Sequence, residues 1–125
     1  GDIKIIDYGI AQASQEERSK KIMGTPMYMS PEQLDISMKL DVRTDIYQLG
    51  VSFHEMVTGY KPYNREMSKS EIFDNIKNKP LNRVMDIYPH SDERVQHIID
   101  MSTAKDPNER YQTCTELREA LEELI

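Results

Sequence analysis

Apolar and polar positions alternate at the start of Ile3-Lys4-Ile5-Ile6-Asp7, and β-branched residues fill it, which predicts a short strand. Gly1-Asp2 before it reads as the second half of a hairpin turn, so the pairing strand is expected upstream of residue 1. Residues 10 to 29 are polar without a sustained period and read as one long loop. A loop of that size in a compact domain is usually functional. Ser30-Pro31-Glu32-Gln33 then signals a helix start, with Ser as N-cap, Pro at the first helical position and Gln three after the cap. The helix it opens is expected to be short.

Asp41 to Thr58 is the most hydrophobic stretch, with Ile46, Leu49, Val51, Phe53, Met56 and Val57 spread over several faces. A helix apolar on most sides is normally buried at the centre of its domain. Thr58-Gly59 supplies its stop, and Pro62 follows. Ser68-Lys69-Ser70-Glu71 is a capping box before a helix carrying Ile72, Phe73 and Ile76, with Pro80 beyond its end. Ser91 is positioned to cap the next helix, which carries Val95, Ile98 and Ile99. A last capping box, Thr113-Cys114-Thr115-Glu116, precedes an amphipathic stripe of Leu117, Ala120, Leu121 and Leu124. The pattern as a whole predicts a mainly α chain with one strand, one long loop and about five helices.

The length of 125 residues suits one modest domain with a real core. A net charge of −6 argues against nucleic acid as a main partner. No apolar run reaches membrane-spanning length, and a cytoplasmic setting is expected. Cys114 stands alone and reads as a small helical residue in a reducing compartment. The histidines His54, His90 and His97 are scattered, show no metal-ligand spacing, and read as structural or exposed.

The chemistry concentrates in two short motifs. Asp7-Tyr8-Gly9 ends the predicted strand, where a carboxylate is held rigidly while glycine lets the chain turn away. Gly24-Thr25-Pro26-Met27-Tyr28-Met29-Ser30-Pro31-Glu32 closes the loop. Together they resemble the Asp-Phe-Gly and Ala-Pro-Glu boundaries of a protein-kinase activation segment. Downstream, Asp45-Ile46-Tyr47-Gln48-Leu49-Gly50-Val51 with Glu55-Met56 and Thr58-Gly59 resembles the central helix of the kinase C-terminal lobe. Asp106-Pro107-Asn108-Glu109-Arg110-Tyr111 resembles the turn before its last helix. The chain is thus similar to serine/threonine protein kinases, particularly the bacterial, eukaryotic-like branch. The resemblance implies that residues 1–125 are part of a kinase domain, its C-terminal lobe, with residues 7–32 as the activation segment. The parent domain would be α+β in two lobes.

The resemblance also implies roles. Asp7 would be the magnesium-binding aspartate, since the metal bridging nucleotide phosphates prefers hard oxygen ligands. Tyr8 and Gly9 would be structural, with Tyr8 in place of the usual Phe and its ring packing between lobes. Gly24, Thr25, Pro26, Met27 and Tyr28 would bind the protein substrate, Thr25 by hydrogen-bonding the catalytic aspartate and residues 26 to 29 by touching the residue after the acceptor. Ser19, and second Ser14, would be phosphorylation sites that order the loop through arginine pairing. Arg18, Lys20 and Lys21 around Ser19 read as a solvated basic cluster or as contacts for a phosphate. Glu32 would form a buried ion pair with Arg110, a task suited to the arginine fork. Asp45 would accept backbone hydrogen bonds from the catalytic loop. Ser52 departs from the family pattern, which places a bulky apolar residue there to support the stack under adenine.

Several kinase parts are absent from these 125 residues: a Gly-rich phosphate loop, a Val-Ala-Ile-Lys-type lysine, and a His-Arg-Asp catalytic loop with its asparagine. The intact kinase would use ATP and Mg2+ and act on protein Ser/Thr. The chain alone is expected to be inactive, because catalysis of this type is positioning plus electrostatics. Without the N-lobe, catalytic loop and upstream helix, the open strand and apolar faces point to self-association, or to packing on the missing half. The alternative is a pseudokinase or truncated lobe serving as a protein-binding scaffold.

Overall fold

A computed structural model describes residues 27–64 and 66–125. The predicted strand 3–7 and most of the long loop lie outside the described residues. Ser30 is extended, and its N–H donates to Gln33 Oε1 at 2.8 Å. The segment it opens, Pro31–Leu34, is a single 3-10 turn where the pattern predicts a short α-helix. The reason is local. Asp35 Oδ1 accepts the N–H of Ser37 at 3.0 Å and its hydroxyl at 2.6 Å, a turn that competes with helical continuation.

Helix α1, Val42–Thr58, starts at Asp41, whose carboxylate accepts the Arg43 N–H at 2.9 Å and pairs with the Arg43 guanidinium. It stops at Gly59, whose φ of +77° is the left-handed conformation that glycine adopts without strain. Helix α2, Lys69–Asn78, is capped by Ser68, whose Oγ accepts the Glu71 N–H at 3.2 Å. A one-turn helix α3, Val84–Ile87, follows. The sequence pattern does not reveal it, since one turn carries no periodic signal. Its first N–H is satisfied by a tertiary partner, the buried Gln96 Oε1 at 2.8 Å. Helix α4, Glu93–Ser102, is capped by Asp92 and not by Ser91. An ionised Asp gains from the helix dipole where Ser does not, and Arg94 clasps it at 2.7 Å. A 3-10 turn, Pro107–Glu109, leads into helix α5, Cys114–Glu122. Its capping box is complete: Glu116 N–H donates to Thr113 Oγ1, and Thr113 N–H to Glu116 Oε1, each at 3.1 Å. The described residues therefore form five α-helices, two 3-10 turns and no strand.

α1 packs against α3, α4 and α5 and separates two apolar clusters. One gathers Met29, Tyr47, Val51, Ile72, Ile76, Val84 and Ile99. The other gathers Ile46, Ile98 and Leu117, and Phe53 touches both. α1 and α4 approach so closely that a Cβ on Gly50 would stand 2.5 Å from Ser102 Cβ. α1 is central, yet it is not buried all round as its pattern predicts. Ser52 is exposed, and Met56 is 79% exposed beside an apolar groove of about 330 Å³ lined by Leu49, Phe53, Ile98, Leu117 and Leu121.

Candidate functional site

Of the candidate substrate-binding residues 24–28, Met27 and Tyr28 are described, and the stretch Met27 to Gln33 that begins with them is fastened to the helical body at three points. The first is Tyr28. Its hydroxyl donates to the Glu55 carboxylate on the outer half of α1, and Lys61 Nζ lies 3.7 Å from the other oxygen of that carboxylate. The hydrogen bond to Glu55, with burial adding to it, pushes the Tyr28 pKa up. The phenol therefore remains a donor across the physiological range. Met27 and Tyr28 also pack on the main apolar cluster, and Met29 is inside it.

The second point is Gln33. Its Oε1 accepts from the Ser30 N–H and, at 3.1 Å, from Gln48 Nε2 on α1. Buried amides joined this way fix the 3-10 turn against the central helix.

The third point is Glu32. Arg110 Nη1 donates to Glu32 Oε2 at 2.6 Å, and Nη2 donates to Oε1 at 2.8 Å. Thr44 Oγ1 donates to the same carboxylate at 2.7 Å. The remaining Arg110 N–H groups reach the carbonyls of Ala104, Arg43 and Lys105. Its guanidinium also stacks on the Tyr47 ring, 4.8 Å from the centroid. Burial by itself would raise the Glu32 pKa, but the hydrogen bonds and charge of Arg110, with the Thr44 hydroxyl, hold it below the ordinary carboxylate value. The pair is therefore ionised and fully hydrogen-bonded, the condition under which a buried pair is tolerated.

Tyr47 and Tyr63 share this interior, and burial raises both phenols, Tyr63 to about 12. Asp45, 2% exposed, lies on the first turn of α1. Burial and the Asp45 charge both push the Cys114 thiol up, which leaves it an inert packing residue. His54 is buried with Nε2 at 2.7 Å from the Asn82 carbonyl, while His90 and His97 are exposed.

Asp7, Tyr8, Gly9, Ser14, Ser19, Gly24, Thr25 and Pro26 lie outside the described residues. The structure brings together Tyr28, Glu32 and Arg110 around α1. It adds Glu55, which the central-helix motif contains without a role, and Thr44, Lys61 and Lys105, which no local sequence signal singles out. Among the described residues, no group of three or more His, Cys, Asp or Glu is placed to hold a metal ion. No helix among them is long and apolar enough to cross a membrane.

Comparison with known proteins gives these contacts a context. Residues 1–122 match the protein kinase domain model. The chain is 32% identical over 125 residues to the probable serine/threonine-protein kinase PknB of Corynebacterium glutamicum, covering 94% of this chain and 19% of the relative. It is 32% identical over 124 residues to the serine/threonine-protein kinase Pkn1 of Myxococcus xanthus, covering 96% and 18%. It is 31% identical over 128 residues to the tyrosine-protein kinase MasK of the same species, covering 100% and 20%. The chain thus spans about a fifth of the length of the curated relatives it matches. With the family model matching nearly end to end, this chain belongs to the protein kinase family.

Proposed function

We propose that this chain is the C-terminal-lobe portion of an ATP- and Mg2+-dependent kinase that transfers the γ-phosphoryl group to protein Ser or Thr. In this reading Asp7 holds the metal, and Gly24 to Tyr28 receive the substrate. Ser14 and Ser19 are sites of activating phosphate. The observation that carries the reading is the double fastening of the stretch that follows the substrate-binding residues, by Tyr28 to Glu55 and by Glu32, the end of the candidate activation segment, to Arg110. Phosphoryl transfer depends on positioning, and a segment tied to a buried ion pair is prepared for it.

The test is radiolabelled ATP with Mg2+ and a mixed Ser/Thr/Tyr peptide set, using the full-length protein. Transfer to Ser or Thr that is abolished by Asp7→Ala supports the reading. Transfer confined to Tyr, or unaffected by Asp7→Ala, overturns it. The 125-residue chain alone is expected to be silent in the same assay.

The groove beside Met56 supports a partner for that isolated chain. We assign it to the upstream half of the kinase domain, with self-association as the alternative for the chain alone. Sedimentation of the chain with and without the upstream segment separates the two. The scaffold reading draws on Ser52, exposed where the family carries a bulky apolar residue. Absence of ATP binding by the full-length protein would favour it.

A further inference from the structure

One stripe of α1 holds the stretch from Tyr28 to Gln33 along its length. Thr44, Gln48, Val51 and Glu55 recur at helical spacing and share a face. Glu55 accepts from the Tyr28 hydroxyl, Val51 belongs to the apolar cluster that contains Met29, and Thr44 donates to Glu32. Gln48, the remaining member, donates its Nε2–H to Gln33 Oε1 at 3.1 Å.

Stability does not account for Gln48. The residue is 7% exposed, yet its Oε1 is buried and accepts no hydrogen bond among the described residues. The amide cannot turn over, because Oε1 would then face Gln33 Oε1, which the Ser30 N–H holds in place. A buried amide satisfied at one end is less favourable than an apolar side chain of the same length. Gln33 does not need the bond either. Its Oε1 also accepts the Ser30 N–H at 2.8 Å and the Ser30 hydroxyl at 3.3 Å, so it stays satisfied without Gln48. What the bond supplies is geometry. It ties the Ser30 backbone, one residue past Met29, to a rigid helix.

We propose that Gln48 is a positioning residue for phosphoryl transfer. Through Gln33 it holds the Ser30 backbone, and with it Met27 to Met29, at a fixed height on α1. The inference rests on the kinase reading above, in which residues 24–28 receive the substrate. Tyr28 and Glu32 fasten the two ends of the stretch, and Gln48 fastens its middle. Loss of the middle hold lets the backbone shift slightly. Such a shift leaves the fold intact and misplaces the acceptor hydroxyl, to which transfer is sensitive.

The test compares the full-length protein with Gln48→Met, which keeps the length of the side chain and removes both polar ends. Gln48→Leu is a second apolar variant. Melting temperature, kcat/KM for a Ser/Thr peptide and KM for ATP are measured, the kinetics well below the melting temperature. Both variants are expected to melt no lower than the unchanged protein, to lose about ten-fold in kcat/KM for the peptide, and to keep the KM for ATP. A lower melting temperature in both overturns the proposal, since stability would then explain the amide. An unchanged kcat/KM, or a KM for ATP that rises as the peptide reaction falls, overturns it as well. If the unchanged protein transfers nothing to Ser or Thr, the kinase reading itself fails and the proposal falls with it. Transfer by the unchanged protein that the variants match overturns the proposal alone.

Discussion

Glu32 and Arg110 stand 78 positions apart and close a two-bonded ion pair whose side chains are 2% and 0% exposed. Removing one partner leaves the other charged in a site that water does not reach. Arg110→Met is therefore expected to destabilise the fold by about 3–5 kcal/mol. Arg110→Lys keeps the charge but loses the fork and the stacking on Tyr47, and it is not a conservative change. The double variant Glu32→Gln/Arg110→Met is expected to be less destabilised than Arg110→Met alone. Urea unfolding of the unchanged protein, Glu32→Gln, Arg110→Met and the double variant checks this, and additive losses would show that the two residues do not act as a pair.

The same carboxylate sets an acid limit. The folded pKa of Glu32 lies below its ordinary value of 4.5. The unfolded chain then binds more protons in the window between the two values, so stability falls as pH drops through it. Above pH 4.5 the contribution is fully present. Glu32→Gln removes this dependence, and its melting temperature is expected to vary less between pH 5 and pH 3 than that of the unchanged protein. Parallel curves would place the acid sensitivity elsewhere.

The helix order and most boundaries were legible because this chain marks them with local chemistry. Gly59 ends α1, and Thr113 with Glu116 opens α5, each through contacts within a few positions. What was illegible depends on distant partners or on competition. The N-terminus of α3 rests on Gln96, twelve positions away. Ser30 and Pro31 announce a helix that Asp35 then diverts through Ser37. Ser91 and Asp92 are both competent caps, and the charge of Asp92 at the helix start, with the Arg94 clasp, decides between them. In the site, family motifs pointed to Glu32 and Arg110, whereas Lys105 has no signature at all. Its place at the Tyr47 ring, beside Arg110, comes from the fold.

Gly50 reports how tightly α1 and α4 are joined. A methyl group there would meet Ser102 Cβ at 2.5 Å and Thr103 Cγ2 at 2.8 Å, both below any normal contact. Neither neighbour is the far end of a flexible chain. Gly50→Ala is expected to cost about 1–3 kcal/mol by overpacking, against its favourable helix propensity. Adding Ser102→Gly relieves the closer contact and should restore part of the loss. A stabilising Gly50→Ala in thermal unfolding would mean that the two helices separate without penalty.

Tyr28 and Glu55 separate positioning from stability. Their hydrogen bond is only part-buried, and Lys61 already shares the carboxylate. Tyr28→Phe keeps the ring packed on the core and removes the donor, so the melting temperature is expected to change little. Phosphoryl transfer is more sensitive, because slight displacement of a positioning segment costs rate out of proportion to its energy. In the full-length protein, Tyr28→Phe and Glu55→Gln are each expected to lower kcat/KM for a peptide substrate by about ten-fold, the equivalent of one hydrogen bond to a charged group. The double variant should lose no more than either single one, since both remove the same contact. Losses that multiply would instead assign Glu55 a direct contact with substrate, with Lys61 as its occupant when substrate is absent.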